Sequence, residues 1–191
     1  MHNFFTGRSI TYVLHPFIFV LSSVLRVLPL CFRMLFFEIF KNFPTKIGVF
    51  IRLIILKSMC RCGNNIYIAS NVTIKGFEQL TLDDNISIHE NCYLDAKGGL
   101  DIGSDVSIAH NSSIITFEHM WSDQTNPIKY NNLELKSISI GSDVWIGCGS
   151  RILAGSRLSD RTIVAAGCVV NNVYDSNVII AGIPSKVLKE I

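Results

Sequence analysis

Imidazole titrates near neutral pH without help from its surroundings, so the five histidines are the natural proton carriers of this chain. His2 and His15 lie in an apolar first third. His89 and His110 sit in the regular segments Ile88-His89 and Ile108-Ala109-His110, at positions that read as solvated turns. His119 differs. It ends the strand-like run Ile114-Ile115-Thr116-Phe117-Glu118 and opens a stretch, 120–137, in which the surrounding pattern lapses. A long excursion from a rigid scaffold usually carries function, which makes His119 the candidate general base. The six cysteines (Cys31, Cys60, Cys62, Cys92, Cys148 and Cys168) have no framework spacing. Cys60-Arg61-Cys62 is too tight for a paired zinc knuckle and has no second pair, so all six are expected as reduced thiols of a cytosolic protein. Cys148 has no adjacent base, so a covalent enzyme intermediate is not expected.

The scaffold that must hold these groups is legible from residue 66 onward. Apolar residues recur every six positions: Leu82, Ile88 and Leu94; Ile102, Ile108 and Ile114; Ile140, Ile146, Ile152 and Leu158. A short fixed period marks a solenoid. Neither a helix nor a sandwich has period six. Three hexapeptides make a coil of eighteen residues, Ile140 to Leu158, and the coil is a triangular prism of short flat strands. About five coils are expected. The fifth positions, Val72, Ile86, Cys92, Val106, Ser112, Val144 and Cys168, should face inward. Gly103, Gly141 and Gly147 are expected at tight turns. Asn71, Asn85 and Asn111 suit left-handed turn backbone.

The 191 residues are 49% apolar and carry a net charge of +2, enough for one domain with an extension and too apolar for a disordered chain. The charge is split. Residues 1–62 hold eight Lys or Arg against one acid, and 63–191 hold nine against fourteen. Ten of the twelve Phe are in the first part. The acidic remainder argues against nucleic acid. The uncharged run Ser9–Leu25 is 17 residues and contains Pro16, marginal for a span of ~20 residues. His15, Ser22, Arg26, Arg33 and Lys41 recur at helical spacing, but Pro16 and Pro29 forbid one continuous helix. Two or three short amphipathic helices at a lipid surface fit best. The domain reading is therefore a basic helical extension at 1–62 and a repeat domain at 63–191, with loop 120–137 and a terminal segment 174–191.

Four stretches in order carry a resemblance: Asn91-Cys-Tyr-Leu-Asp-Ala-Lys-Gly-Gly-Leu, Ile115-Thr-Phe-Glu-His119, Val144-Trp-Ile-Gly147, and Ala181-Gly-Ile-Pro-Ser-Lys186-Val-Leu-Lys189. Across 64–191 the chain resembles the hexapeptide-repeat acyltransferases. It is most similar to the maltose, galactoside and nodulation-type O-acetyltransferases and their polysaccharide-modifying relatives. The resemblance implies an all-β, left-handed parallel β-helix, an exception to the right-handed crossover rule. It implies acetyl-CoA as donor, a sugar hydroxyl as acceptor, a homotrimer and no metal. His119 matches the family's base. Asn91 and Trp145 match substrate-side positions, and Asp95 and Lys97, just ahead of the Gly98-Gly99 turn, are candidates for contacts to sugar hydroxyls. Cys148, Ala166 and Asn171 match the coenzyme groove, and Lys186 and Lys189 the grip on its 3′-phosphate, with Lys replacing the Arg fork.

The acceptor is then expected on a capsular, exopolysaccharide or lipopolysaccharide unit, with the protein in the cytoplasm at the inner face of the membrane. Three rival readings fit the residues less well. A γ-type carbonic anhydrase needs three imidazoles on zinc, and the spacing of His89, His110 and His119 does not match. A structural ice-binding prism needs a repeating Thr face, which the mixed outward residues do not supply. An N-acyltransferase acting on a nucleotide-linked amino sugar is the runner-up, although residues 1–62 lack a glycine-rich nucleotide-binding signal.

Overall fold

The structure, a computed structural model, describes residues 14–191; His2, Arg8 and the opening of the apolar run lie outside the described residues. From Arg61 the chain visits three sheets in turn. Sheet one is β1 (Arg61–Cys62), β4 (Leu80–Leu82), β7 (Leu100–Ile102), β12 (Ile138–Ile140), β15 (Arg157–Leu158) and β18 (Val173–Tyr174). Sheet two is β2 (Tyr67–Ile68), β5 (Ser87–Ile88), β8 (Ser107–Ile108), β13 (Trp145–Ile146), β16 (Thr162–Val164) and β19 (Val178–Ala181), edged by antiparallel β20 (Lys186–Glu190). Sheet three is β3 (Thr73–Lys75), β6 (Tyr93–Asp95), β9 (Ser113–Ile115), β14 (Arg151–Ile152) and β17 (Val169–Val170). The result is a left-handed parallel β-helix of about six turns. Intact hexapeptides alone count about five, because the first and last rungs lie where the period fades.

The period works by stacking like on like. Ile68, Ile88, Ile108, Ile146 and Val164 pair in register up sheet two, and all are fully buried. Each such side chain contributes about 1.5–3 kcal/mol by leaving water. The fifth-position residues, from Val72 to Cys168, are buried as well. Burial pushes the thiols of Cys92 and Cys168 up, which makes both poor nucleophiles. All six cysteines are free.

Two local expectations change. Asn71, Asn85 and Asn111 do adopt left-handed backbone, with φ near 60°, and Asn91 joins them. Gly103, Gly141 and Gly147 do not. Their requirement is space: a Cβ on Gly147 would stand 2.6 Å from the Ala166 nitrogen in the next coil. The step per coil also varies. Ile140 stands beside Leu158, the eighteen residues of three hexapeptides, but Thr81 stands beside Asp101, a step of twenty. The extra residues fall at the corner between sheets three and one, as a 3-10 turn at Phe77–Gln79 and then as Lys97-Gly98-Gly99. In the third coil this same corner swells into the long excursion. It starts at Thr116, ahead of the expected boundary at 120, and opens with an antiparallel hairpin of β10 (Phe117–His119) and β11 (Leu133–Leu135).

Three helices precede the solenoid among the described residues: α1 (His15–Leu25), α2 (Leu30–Phe40) and α3 (Thr45–Lys57). Their inner faces, including Ile18, Phe37, Leu53 and Leu56, join the solenoid's own core. They close the end of the prism that the first coil leaves open. Arg52 is the staple. It is 2% exposed and donates to the carbonyls of Ile68, Phe40, Lys41 and Phe43 at 2.9–3.3 Å. Gly48 makes room for it, since a Cβ there would run into the Phe43 carbonyl oxygen and stand 2.9 Å from the Arg52 guanidinium. Part of the basic stripe is taken up by the cap itself: Ser22 is buried, Arg33 is half-buried and Arg26 stays exposed, and the two arginines donate to the last carbonyls around α3, Lys57 and Ser58. Cations suit a helix C-terminus. No helix among the described residues is long and apolar enough to cross a membrane.

Candidate active site

His119 is the last residue of β10 and pairs with Leu133 across the hairpin. It is exposed, and no described residue hydrogen bonds its imidazole. Met120 N–H donates to the Asn132 carbonyl at 2.9 Å, which fixes the backbone just past it. Beyond, the loop is knotted by Asp123. Its carboxylate accepts from the Thr125 hydroxyl (2.6 Å), the Thr125 amide (2.9 Å) and the Asn126 side chain (2.8 Å). The Thr125 and Asn126 donors hold the Asp123 carboxyl below the usual carboxylate range. The Asn131 amide in turn donates to the Asp123 carbonyl at 3.2 Å and accepts the Asp123 N–H at 3.1 Å. This knot displays Trp121 and Tyr130, each 70% exposed, on the same excursion as His119. Sequence reasoning passed over both aromatics. Their signal was a pair of large rings inside an otherwise polar loop, where each needs a partner for its apolar face.

The other predicted residues divide between two edges of the prism. Asn91, Cys148 and Ala166 lie at the corner between sheets two and three, whereas Asp95, His119 and Asn171 lie at the corner between sheets three and one. Asn91 accepts from the Asn71 side chain at 2.7 Å and its backbone N–H donates to the Ser70 carbonyl at 3.4 Å, whereas its side-chain N–H groups make no hydrogen bond among the described residues. Asp95 is buried. Its carboxylate accepts from the Tyr93 hydroxyl and the Lys97 amide, both at 3.2 Å, so it organises its own corner. Lys97 itself is exposed there. Cys148 and Ala166 occupy stacked turns, joined where the Gly167 N–H donates to the Cys148 carbonyl at 2.8 Å. Asn171 is exposed and accepts from the Asn172 side chain at 3.2 Å. One chain therefore holds His119 and Asn91 apart by the width of sheet three.

Sheet two brings more together. Its outer face carries Ser107, Trp145, Ile163, Ile179 and Lys189 in one register line. Trp145 is 54% exposed. Lys186 and Lys189 are three apart, which on a regular strand puts them on opposite faces. A bulge corrects this. Lys186 pairs with Ala181, Lys189 pairs with Ile179, and Leu188 is the extra residue. Val178 and Ile180 are buried, so both lysines share the outer face. The strand is held down by Tyr174, whose hydroxyl contacts the Ser185 carbonyl (2.8 Å) and the Ser185 hydroxyl (2.7 Å). An apolar line ending in two cations can take a ligand with an apolar arm and a phosphate end.

Of the remaining histidines, His110 is exposed at its turn. His89 is half-buried beside Tyr67, its ring centroid 5.8 Å away. Among the described residues, no three His, Cys, Asp or Glu side chains converge where a metal ion would sit.

No family model matches the chain. It is 27% identical over 114 residues to WbbJ of Escherichia coli strain K12, provisionally named a lipopolysaccharide biosynthesis O-acetyl transferase; the match takes in 56% of this chain and 58% of WbbJ. The chain thus spans little more than half of that relative. It is 27% identical over 154 residues to the dTDP-4-amino-4,6-dideoxy-D-glucose acyltransferase of Escherichia coli, covering 67% of this chain and 80% of that one. Among solved structures it superimposes on a galactoside acetyltransferase in complex with coenzyme A, with TM-score 0.73, 23% identity and coverage of 83% and 80%. That likeness is one of fold. The repeat, the four ordered motifs and these relatives together make the chain similar to the hexapeptide-repeat acyltransferases.

Proposed function

We propose that the chain transfers an acetyl group from acetyl-CoA to a sugar hydroxyl of a capsular, exopolysaccharide or lipopolysaccharide unit. The observation that carries this reading is the position of His119: exposed, with its imidazole unpaired among the described residues, at the root of an excursion that also presents Trp121 and Tyr130. The sugar stacks on these rings. Its hydroxyl oxygen attacks the thioester carbonyl, and His119 takes the hydroxyl proton. The C–O bond forms, the C–S bond breaks, and the proton passes to the departing thiolate. Asn91, whose side-chain N–H groups are unused among the described residues, supports the oxyanion from the other side. The line from Trp145 through Ile179 to Lys186 and Lys189 suits the pantetheine arm and the phosphorylated end of the donor.

The reading includes a homotrimer. His119 and Asn91 stand on different edges of one prism, so a second copy is needed to close a site around both, and the exposed Trp145 gives it a surface to cover. It also includes the cytoplasm, where thiols stay reduced and acetyl-CoA is made. The dideoxyamino-sugar acyltransferase relative favours a second reading, N-acylation of a nucleotide-linked amino sugar. The enzyme assayed with acetyl-CoA against a neutral glycan unit and against an amino-sugar nucleotide separates the two. For the first reading, His119→Ala should lower turnover by roughly 10²–10⁴, the usual share of a positioned base. Retention of more than a tenth of parental turnover at saturating acceptor sinks the assignment. Lys186→Ala should raise the Michaelis constant for acetyl-CoA and leave the saturated rate nearly unchanged.

A further inference from the structure

The helical cap has an outer face that its own fold leaves unpartnered. On α1 the inner arc is Ile18, Leu21, Ser22 and Leu25, and Phe17 stacks on Phe50 of α3 with ring centroids 6.3 Å apart; the opposite arc presents Phe19, Val20 and Val24, each more than half exposed. On α2 the inner arc holds Phe37 and Phe40, and the outer arc presents Phe32, Leu35 and Ile39, again each more than half exposed. The turn between the helices adds Val27 at 84% exposure. Each of these two helices, and their connection, therefore shows an apolar outer side, beyond the singly scattered exposed apolar residues of an ordinary protein surface.

Charge says what covers it. Residues 14–62 hold seven Lys or Arg against a single acid, Glu38, and Glu38 is paired with Lys41 at 2.7 Å. Arg26, Lys46 and Arg61 are exposed. Two copies packed through this face would bring together two caps that each carry a net positive charge. A bilayer that mixes apolar chains with anionic headgroups matches both features at once. We infer that the outer face of α1 and α2 docks peripherally on an anionic membrane surface, with Phe19, Val20, Leu35 and their neighbours entering the interface. The hydrogen bonds of Arg26 and Arg33 to the carbonyls at the end of α3 leave the apolar residues foremost, and the exposed cations act as a second row at headgroup depth. This docking is independent of the acetyl-transfer reading, and it places whatever the solenoid does at a lipid surface.

The test is co-sedimentation of the full chain with vesicles of phosphatidylcholine alone and with vesicles carrying phosphatidylglycerol. The parent should pellet with the phosphatidylglycerol vesicles and stay in solution with phosphatidylcholine, and high salt should release it. Phe19→Asp combined with Leu35→Asp should weaken vesicle binding by roughly tenfold or more, with the oligomeric state and the thermal midpoint unchanged. No pelleting with anionic vesicles, or equal pelleting of parent and double variant, overturns the inference. So does a double variant whose oligomer falls apart, because the face would then be an interface between copies. A single variant, Val27→Asp, at the most exposed position, guards against misfolding of the pair: it should weaken binding in the same direction, and unchanged binding counts against the inference.

Discussion

The helical cap and the solenoid solve opposite packing problems. Each solenoid rung buries one ladder of side chains and leaves the corners and outer faces free for chemistry; His119, Trp145 and the two lysines all lie there. The cap buries the inner side of three short helices, pins them with one buried guanidinium, and leaves the opposite side apolar. The rungs are nearly interchangeable: Ile68, Ile88 and Ile108 do the same work. The cap rests on single residues. Sites in a repeat can thus be altered with little cost to the fold, whereas the cap is sensitive at a few inward positions and tolerant outside.

The largest expected effect tests the first half of that contrast. His119→Ala should reduce turnover by roughly 10²–10⁴ while shifting stability by less than about 1 kcal/mol, as for surface sites in general. Thermal unfolding beside the acetyl-transfer assay reads both, and a large stability loss would mean the hairpin is part of the scaffold. Next is Arg52→Met, which keeps bulk but strands four carbonyls. It should cost roughly 3 kcal/mol, seen as a lower denaturant midpoint, whereas Lys46→Met on the exposed side should change little. An Arg52 variant as stable as the parent would show that the cap is not stapled there.

A smaller effect is expected at the far end. Tyr174→Phe removes the hydroxyl that holds Ser185 and should cost about 1 kcal/mol. Because the same strand carries Lys186 and Lys189, the Michaelis constant for acetyl-CoA should rise a few-fold with little change in the saturated rate. The smallest concerns Asp123. Its folded-state pKa lies below the unfolded value of about 3.9. Its hold on the loop is therefore fully present above that value and is lost as pH falls through the lowered one. Fluorescence of Trp121 should report loop loosening on acidification, and Asp123→Asn should abolish that step. A step that persists in the variant would place its origin elsewhere.

How far the sequence reached depends on the range of the interactions involved. Period six alone defines the prism, since each inward Ile or Val meets its like one coil away and no other fold supplies that partner. The left-handed Asn positions and the reduced cysteines follow from residue type. His119 stands out because the repeat breaks around it. Other features needed contacts that no local pattern records. Leu188 becomes a bulge only against Ile179 and Ile180, and that bulge sets Lys186 and Lys189 on one face. The twenty-residue coils arise because one corner takes up extra residues that stacking neither requires nor forbids. Arg26 and Arg33 read as a basic stripe for a surface, yet the open carbonyls at the end of α3 capture them. The apolar residues of α1 and α2 look alike in sequence. Only packing on α3 decides which are buried, because the hydrophobic effect has no direction until a partner surface is in place.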